Sequence, residues 1–236
     1  MMIKMVGFDG DDTLWRSQEF YDGAQVEFEA IVARYVDLDA EGVRARLLST
    51  ETANLSLFGY GVKGMVLSMV EAAIELTSGQ VQVQDLHRIV AMGKELLVHP
   101  VPLLPGIDEA VRRIAKTHSV VLITKGDLFH QERKVAACGL GEVFNRIEIV
   151  SEKDTNTYTR LLREFEVEPN EFAMVGNSLK SDIAPVVALG GWGIYMPYHL
   201  VWDHERLPDF DGAGRVVEVA GAEEIEAAVA KLELAL

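Results

Sequence analysis

Three carboxylates fall within four residues at Asp9-Gly10-Asp11-Asp12, where the apolar run Ile3–Asp9 closes. Acids so crowded repel one another and favour a cation. Asp9 and Asp11, two residues apart at a strand end, can point to one side and divide labour. One stays ionised as nucleophile and metal ligand; the other, held protonated by its neighbour, acts as general acid and then as base. Gly10 lets the backbone pass close to a phosphate. The competing reading is an acidic, solvated loop behind a strand.

Such a pair needs a scaffold, and ligands of α/β folds bind at the carboxyl ends of parallel strands. Five more short apolar runs predict strands at Val120–Thr124, Arg146–Ser151, Phe172–Asn177, Trp192–Met196 and Val216–Val219. Helical patterns alternate with them. Ile107–Lys116 follows Pro105-Gly106, and Leu128–Cys138 runs from an N-cap at Asp127 to Gly139. Thr155–Phe165 and Ile183–Leu189 complete the set. This alternation predicts an α/β, Rossmann-like core with a mainly parallel sheet. From Glu19 to His99 only helical patterns occur, at Phe20–Val36, Glu41–Leu48, Val62–Leu76 and Val83–Val98. Pro100, Pro102 and Pro105 then mark a stiff return. The expected organisation is a core of residues 1–16 and 100–236 with an all-helical insert over residues 17–99.

The chain carries 37 acidic and 22 basic residues, a formal net charge of −15. That argues against long-range attraction to nucleic acid or an anionic membrane. An anionic substrate then needs a local cationic site. The single cysteine, Cys138, cannot form an intrachain disulfide and fits a reducing compartment. It ends a helix, which disfavours a thiolate, so it reads as a small buried side chain. No charged-then-apolar leader opens the chain and no apolar run approaches the ~20 residues of a membrane span. A cytoplasmic protein is expected.

The ordered motifs resemble those of the haloacid dehalogenase-like hydrolase superfamily. The first is Asp9-Gly-Asp11-Asp-Thr13 after a strand; the second is Thr124, closing Val120–Thr124 and followed by Lys125-Gly126-Asp127. The third is Lys153 before a helix, and the fourth is Gly176-Asn177-Ser178-Leu179-Lys180-Ser181-Asp182. The resemblance covers the whole chain, since the helical interval lies where this family inserts a cap. It implies an Mg2+-dependent phosphatase acting on a small phosphorylated metabolite through an aspartyl phosphate. Asp9 is then nucleophile and metal ligand. Asp11 is general acid and base and lends its carbonyl to the metal. Thr124 and the Gly126 N–H hold phosphate oxygens, and Lys153 neutralises charge, with Lys125 as a nearby alternative.

Asn177 stands where most members carry a metal-binding aspartate, and its amide oxygen can coordinate without bringing charge. Three readings follow. Asn177 ligates weakly while Asp182 holds the metal or its waters; Asp182 ligates directly; or the site is impaired and the protein only binds ligand. The family's metal-free dehalogenases lack the second acid, so Asp11 favours a leaving group that needs a proton. Mutase-type transfer to a sugar is a further alternative. Gly59-Tyr60-Gly61-Val62-Lys63-Gly64 spells GxGxxG without the preceding strand a dinucleotide site requires. As a cap loop it offers Tyr60 and Lys63 to the substrate, Lys63 meeting a second anionic group; the competing reading is a flexible helix–helix loop. His199 and His204 flank Trp202-Asp203 in a segment read as a rim, and His130 reads as a helix-surface residue.

Overall fold

The computed structural model describes residues 2–234. They divide into two compact units, one comprising residues up to Gln18, Val101–Lys125 and the chain from Gln131 on, the other Glu19–Pro100 with Gly126–His130.

The first unit is built on six parallel strands: β1 (Met5–Phe8), β2 (Ser119–Lys125), β3 (Arg146–Val150), β4 (Phe172–Gly176), β5 (Trp192–Tyr195) and β6 (Val216–Glu218). Their order is β3-β2-β1-β4-β5-β6. Side chains alternate across a strand, so β1, β2 and β4 each feed two cores. Val6, Phe8, Val120, Leu122, Ala173 and Val175 belong to one apolar cluster; Met5, Val121, Ile123, Phe172 and Met174 belong to another. Parallel strands buried on both faces explain why the runs read as continuously apolar.

Helices α5 (Ile107–Ile114) and α9 (Ile225–Leu234) pack into the first cluster, and α7 (Thr155–Glu164) into the second. Helix α9 was absent from the sequence expectations, although Ile225, Ala228, Val229 and Leu232 keep helical spacing. The helix expected over Ile183–Leu189 is the short α8 (Ala184–Ala188), and the sequence reading missed the π-turn before it, Leu179–Ile183. Wide turns of this kind recur at functional sites. It carries Asp182.

The second unit is helical, as its pattern predicts: α1 (Gln18–Val32) enters it, followed by α2 (Ala40–Phe58), α3 (Val62–Leu76) and α4 (Val83–Val98). Phe28, Ile31, Leu47, Met65, Met69, Ile89 and Met92 form its core. Helix α2 runs ten residues past the expected end at Leu48. The polar residues past Leu48 are satisfied inside the unit: Thr50 bonds back to the Arg46 carbonyl, and Asn54 donates to Ser68 Oγ at 3.1 Å and Glu71 at 2.6 Å. Tertiary partners override weak propensity here. No helix among the described residues is long and apolar enough to cross a membrane.

Candidate active site

Strand β1 leads to β2 on one side, while β4 flanks its other side. The carboxyl ends of these strands therefore meet at the crevice where α/β sheets bind ligands. Asp9 follows β1, Thr124 lies near the end of β2, Lys153 follows β3, and Asn177 follows β4.

The loop after β1 is folded tightly by its own backbone. The N–H groups of Thr13, Leu14 and Trp15 all donate to the Gly10 carbonyl, and Asp12 accepts from the backbone of Ser17 and Gln18. A Cβ on Gly10 would lie 2.7 Å from the Trp15 ring and 3.0 Å from Thr124 Oγ1, so only glycine fits. Similarly, a Cβ on Gly176 would collide with the Asp182 carboxylate.

Lys153, buried, joins two acids. Its Nζ donates to Asp9 Oδ1 and, at 2.7 Å, to Asp182 Oδ1. The other Asp182 oxygen accepts from the Ser178 N–H at 2.9 Å. Tyr158, fully buried on α7, donates to the Ser181 carbonyl at 3.2 Å and so braces the same turn. Burial, and then the Asp182 charge, push the Asp9 carboxyl up to about 7 against the pull of Lys153. Burial also works against the Lys153 ammonium, yet Asp182 and Asp9 outweigh it and hold its pKa well above the ordinary lysine range. Strong pairing read from the lysine and weak pairing read from Asp9 have one cause. A single cation is shared by two buried carboxylates, and the cluster remains short of positive charge.

Around Asp9 Oδ2 the atoms are of another kind. Thr13 Oγ1 lies 3.2 Å away, and the same hydroxyl accepts from the Asn177 N–H at 3.1 Å. The Asn177 amide atom facing the site is 3.2 Å from Asp9 Oδ2, from the Asp11 carbonyl and from Thr13 Oγ1. With nitrogen in that place the amide donates to its neighbours. With oxygen there, it joins Asp9 Oδ2 and the Asp11 carbonyl in an all-oxygen set. That spacing is close to the ~3 Å separating adjacent ligands in an octahedral Mg2+ shell. The residues present fit such an ion. Among the described residues no group of three or more His, Cys, Asp or Glu side chains forms a metal cluster, and the His199–His204 segment supplies none.

Asp11 reverses the expectation that it is the protonated member of the pair. Burial works to raise its pKa, but Lys134 Nζ at 2.6 Å, Trp15 Nε1 at 2.7 Å and Gln131 Nε2 at 3.1 Å hold the carboxyl below its usual range. Gln131 and Lys134 escaped the sequence reading. Both lie on α6 (Leu128–Cys138), three residues apart, and both are buried together with His130, while Leu128 and Phe129 are exposed. His130 is therefore not the surface residue expected. The first turns of the helix thus bury polar side chains and expose apolar ones, a signal that only burial reveals.

Lys125 engages Glu205 at 2.5 Å and Ser181 Oγ at 2.8 Å; Glu205 also accepts from Ser178 Oγ at 2.6 Å and Ser181 Oγ at 2.5 Å. Burial opposes it, but Lys125 and these hydroxyls hold the Glu205 carboxyl down at about 2. Glu205, which closes a short 3-10 turn (Asp203–Glu205) after β5, was also missed. The structure thus gathers Asp9, Asp11, Thr124, Lys153, Asn177 and Asp182, with Lys125 in an adjoining network. Tyr60, Lys63 and Gly126 belong to the helical unit. There Lys63 Nζ pairs with Asp127 at 2.8 Å.

A family model for haloacid dehalogenase-like hydrolases matches residues 3–190. A haloacid dehalogenase-like family hydrolase from Xanthomonas campestris is 49% identical over 99% of this chain and 93% of its own, with a TM-score of 0.88. A 2-haloacid dehalogenase from Pseudomonas syringae is 22% identical, covering 98% of this chain and 99% of its own, with a TM-score of 0.60. The HAD-hydrolase YfnB of Bacillus subtilis, bound to magnesium, is 13% identical over 97% and 99% of the two chains, with a TM-score of 0.66. The last two likenesses speak for the fold alone. No curated protein matches the chain.

Proposed function

The chain belongs to the haloacid dehalogenase-like hydrolase family, and from that premise we propose that it is an Mg2+-dependent phosphatase of small phosphomonoesters acting through phospho-Asp9. One observation carries the reading: the Asn177 amide, Asp9 Oδ2 and the Asp11 carbonyl converge beside a lysine that is shared by two buried acids. Asp9 Oδ2, the Asp11 carbonyl and Asn177 Oδ1 would hold the ion. When bound, it supplies positive charge where negative charge accumulates on a transferring phosphoryl group.

This chain's own residues do the rest. Asp9 Oδ1, oriented by Lys153, attacks phosphorus in line, and the bond to the leaving oxygen breaks. Thr124 donates to a non-bridging oxygen, and Lys153 offsets the charge gathering there. The leaving oxygen takes its proton from the Asp11–Lys134 pair. Asp11, held as a carboxylate, then removes a proton from the water that cleaves the acyl phosphate and regenerates Asp9. Asp182 anchors Lys153. A departing halide needs no proton, so a second acid furnished with three donors supports ester hydrolysis over dehalogenation.

Phosphate release from para-nitrophenyl phosphate and a panel of small phosphate esters tests the proposal. Release should require Mg2+ and fall more than about a thousand-fold in Asp9→Asn. Halide release from 2-chloropropionate, with no phosphate from any ester, would overturn it.

A further inference from the structure

Resting on the phosphatase reading, we propose that Gln131 is a positioning residue: it aims the Thr124 hydroxyl proton at the transferring phosphoryl group. Thr124 Oγ1 is buried near the end of β2, and Gln131 Nε2 approaches it to 2.6 Å. A hydroxyl has one proton to give and two lone pairs to offer. An amide nitrogen only donates, so Thr124 must accept from Gln131, and its own proton is turned away from the glutamine.

The amide's orientation is fixed by chemistry. The same nitrogen lies 3.1 Å from Asp11 Oδ2 and 3.2 Å from the Lys125 carbonyl, both pure acceptors. Placing the amide oxygen there would set it against three oxygens. Two hydrogens thus serve three acceptors, and the hydroxyl has the shortest contact. Gln131 is only 2% exposed, so water is a poor substitute. Without it, the Thr124 proton can turn to the carboxylate or the carbonyl instead of the phosphoryl oxygen. Because that oxygen gains charge as the reaction proceeds, the loss should fall on the chemical step more than on binding.

The test is a double-mutant cycle with Gln131→Met, which keeps the shape and removes the donor, in wild-type and Thr124→Val backgrounds. In the wild-type background kcat should fall about ten- to a hundred-fold, with KM changed less than about three-fold. In the Thr124→Val background the further fall should be under about three-fold. Equal falls in both backgrounds, or no fall in the first, would overturn the inference. Gln131→Leu carries the same expectation should the methionine variant not fold. Failure of the phosphatase reading is separable, since it shows as no phosphate release from the wild type. The calorimetric affinity for inorganic phosphate, measured with Mg2+, then serves as the readout: Gln131→Met and Thr124→Val should weaken it non-additively, and additive losses sink the inference there too.

Discussion

Each unit of the molecule sets a lysine against an acid, and the two settings differ in their water. Lys153 and Asp182 have side chains only 1% exposed, with Asp9 on the same ammonium. Lys63 is 52% exposed and its partner Asp127 is 19% exposed. In the first, the lysine cannot be removed without stranding two buried carboxylates. In the second, solvent screens both members and can replace either. The charge gathered in the α/β unit is thus held under constraint, whereas the pair in the helical unit is a local tie. The difference lies in burial, not in the residue types.

The sharpest way to break this contrast is Lys153→Met. It leaves Asp9 and Asp182 facing each other in a dry site, and stability should drop by about 3–5 kcal/mol, with phosphate release lost. Urea denaturation that places the cost below about 1 kcal/mol would show the cluster to be wetter than its burial implies. Next in size is Asn177→Asp, which adds a negative charge where the oxygens converge. Mg2+ affinity by calorimetry should rise about ten-fold or more, while stability in chelator falls. An unchanged affinity would remove Asn177 from the ion's ligands. Smallest is Lys63→Ala, expected to cost at most about 1 kcal/mol and less at high salt. A larger, salt-independent loss would put that pair in the same class as Lys153.

The core of the fold was legible because six apolar runs ending in polar residues have few arrangements other than a parallel sheet, and the interval without strands is as evident. The family was legible because Asp9, Thr124, Lys153 and the Gly176–Asp182 segment occur in order on elements of the right kind. Gln131, Lys134 and Glu205 were not. Periodicity assigns a polar helical residue to solvent, and nothing local says that α6 turns Gln131 and Lys134 inward to Asp11. Glu205 lies in a stretch of little regular structure, where its partners Lys125, Ser178 and Ser181 come from distant sequence. The reversal at Asp11 has the same origin, since the ammonium that lowers it stands 123 residues away.

The five residues Gly126–His130 group with the helical unit although they follow β2 directly. Asp127 caps the His130 N–H, pairs with Lys63 and lies so near Gly61 that a Cβ there would come within 3.2 Å of the Asp127 nitrogen. The polypeptide consequently passes between units four times, not twice. Anyone grafting the insert of one relative onto the scaffold of another, by splicing near residues 18 and 100, would carry over half of a matched surface. A chimaera that keeps these contacts exchanges the pentapeptide as well.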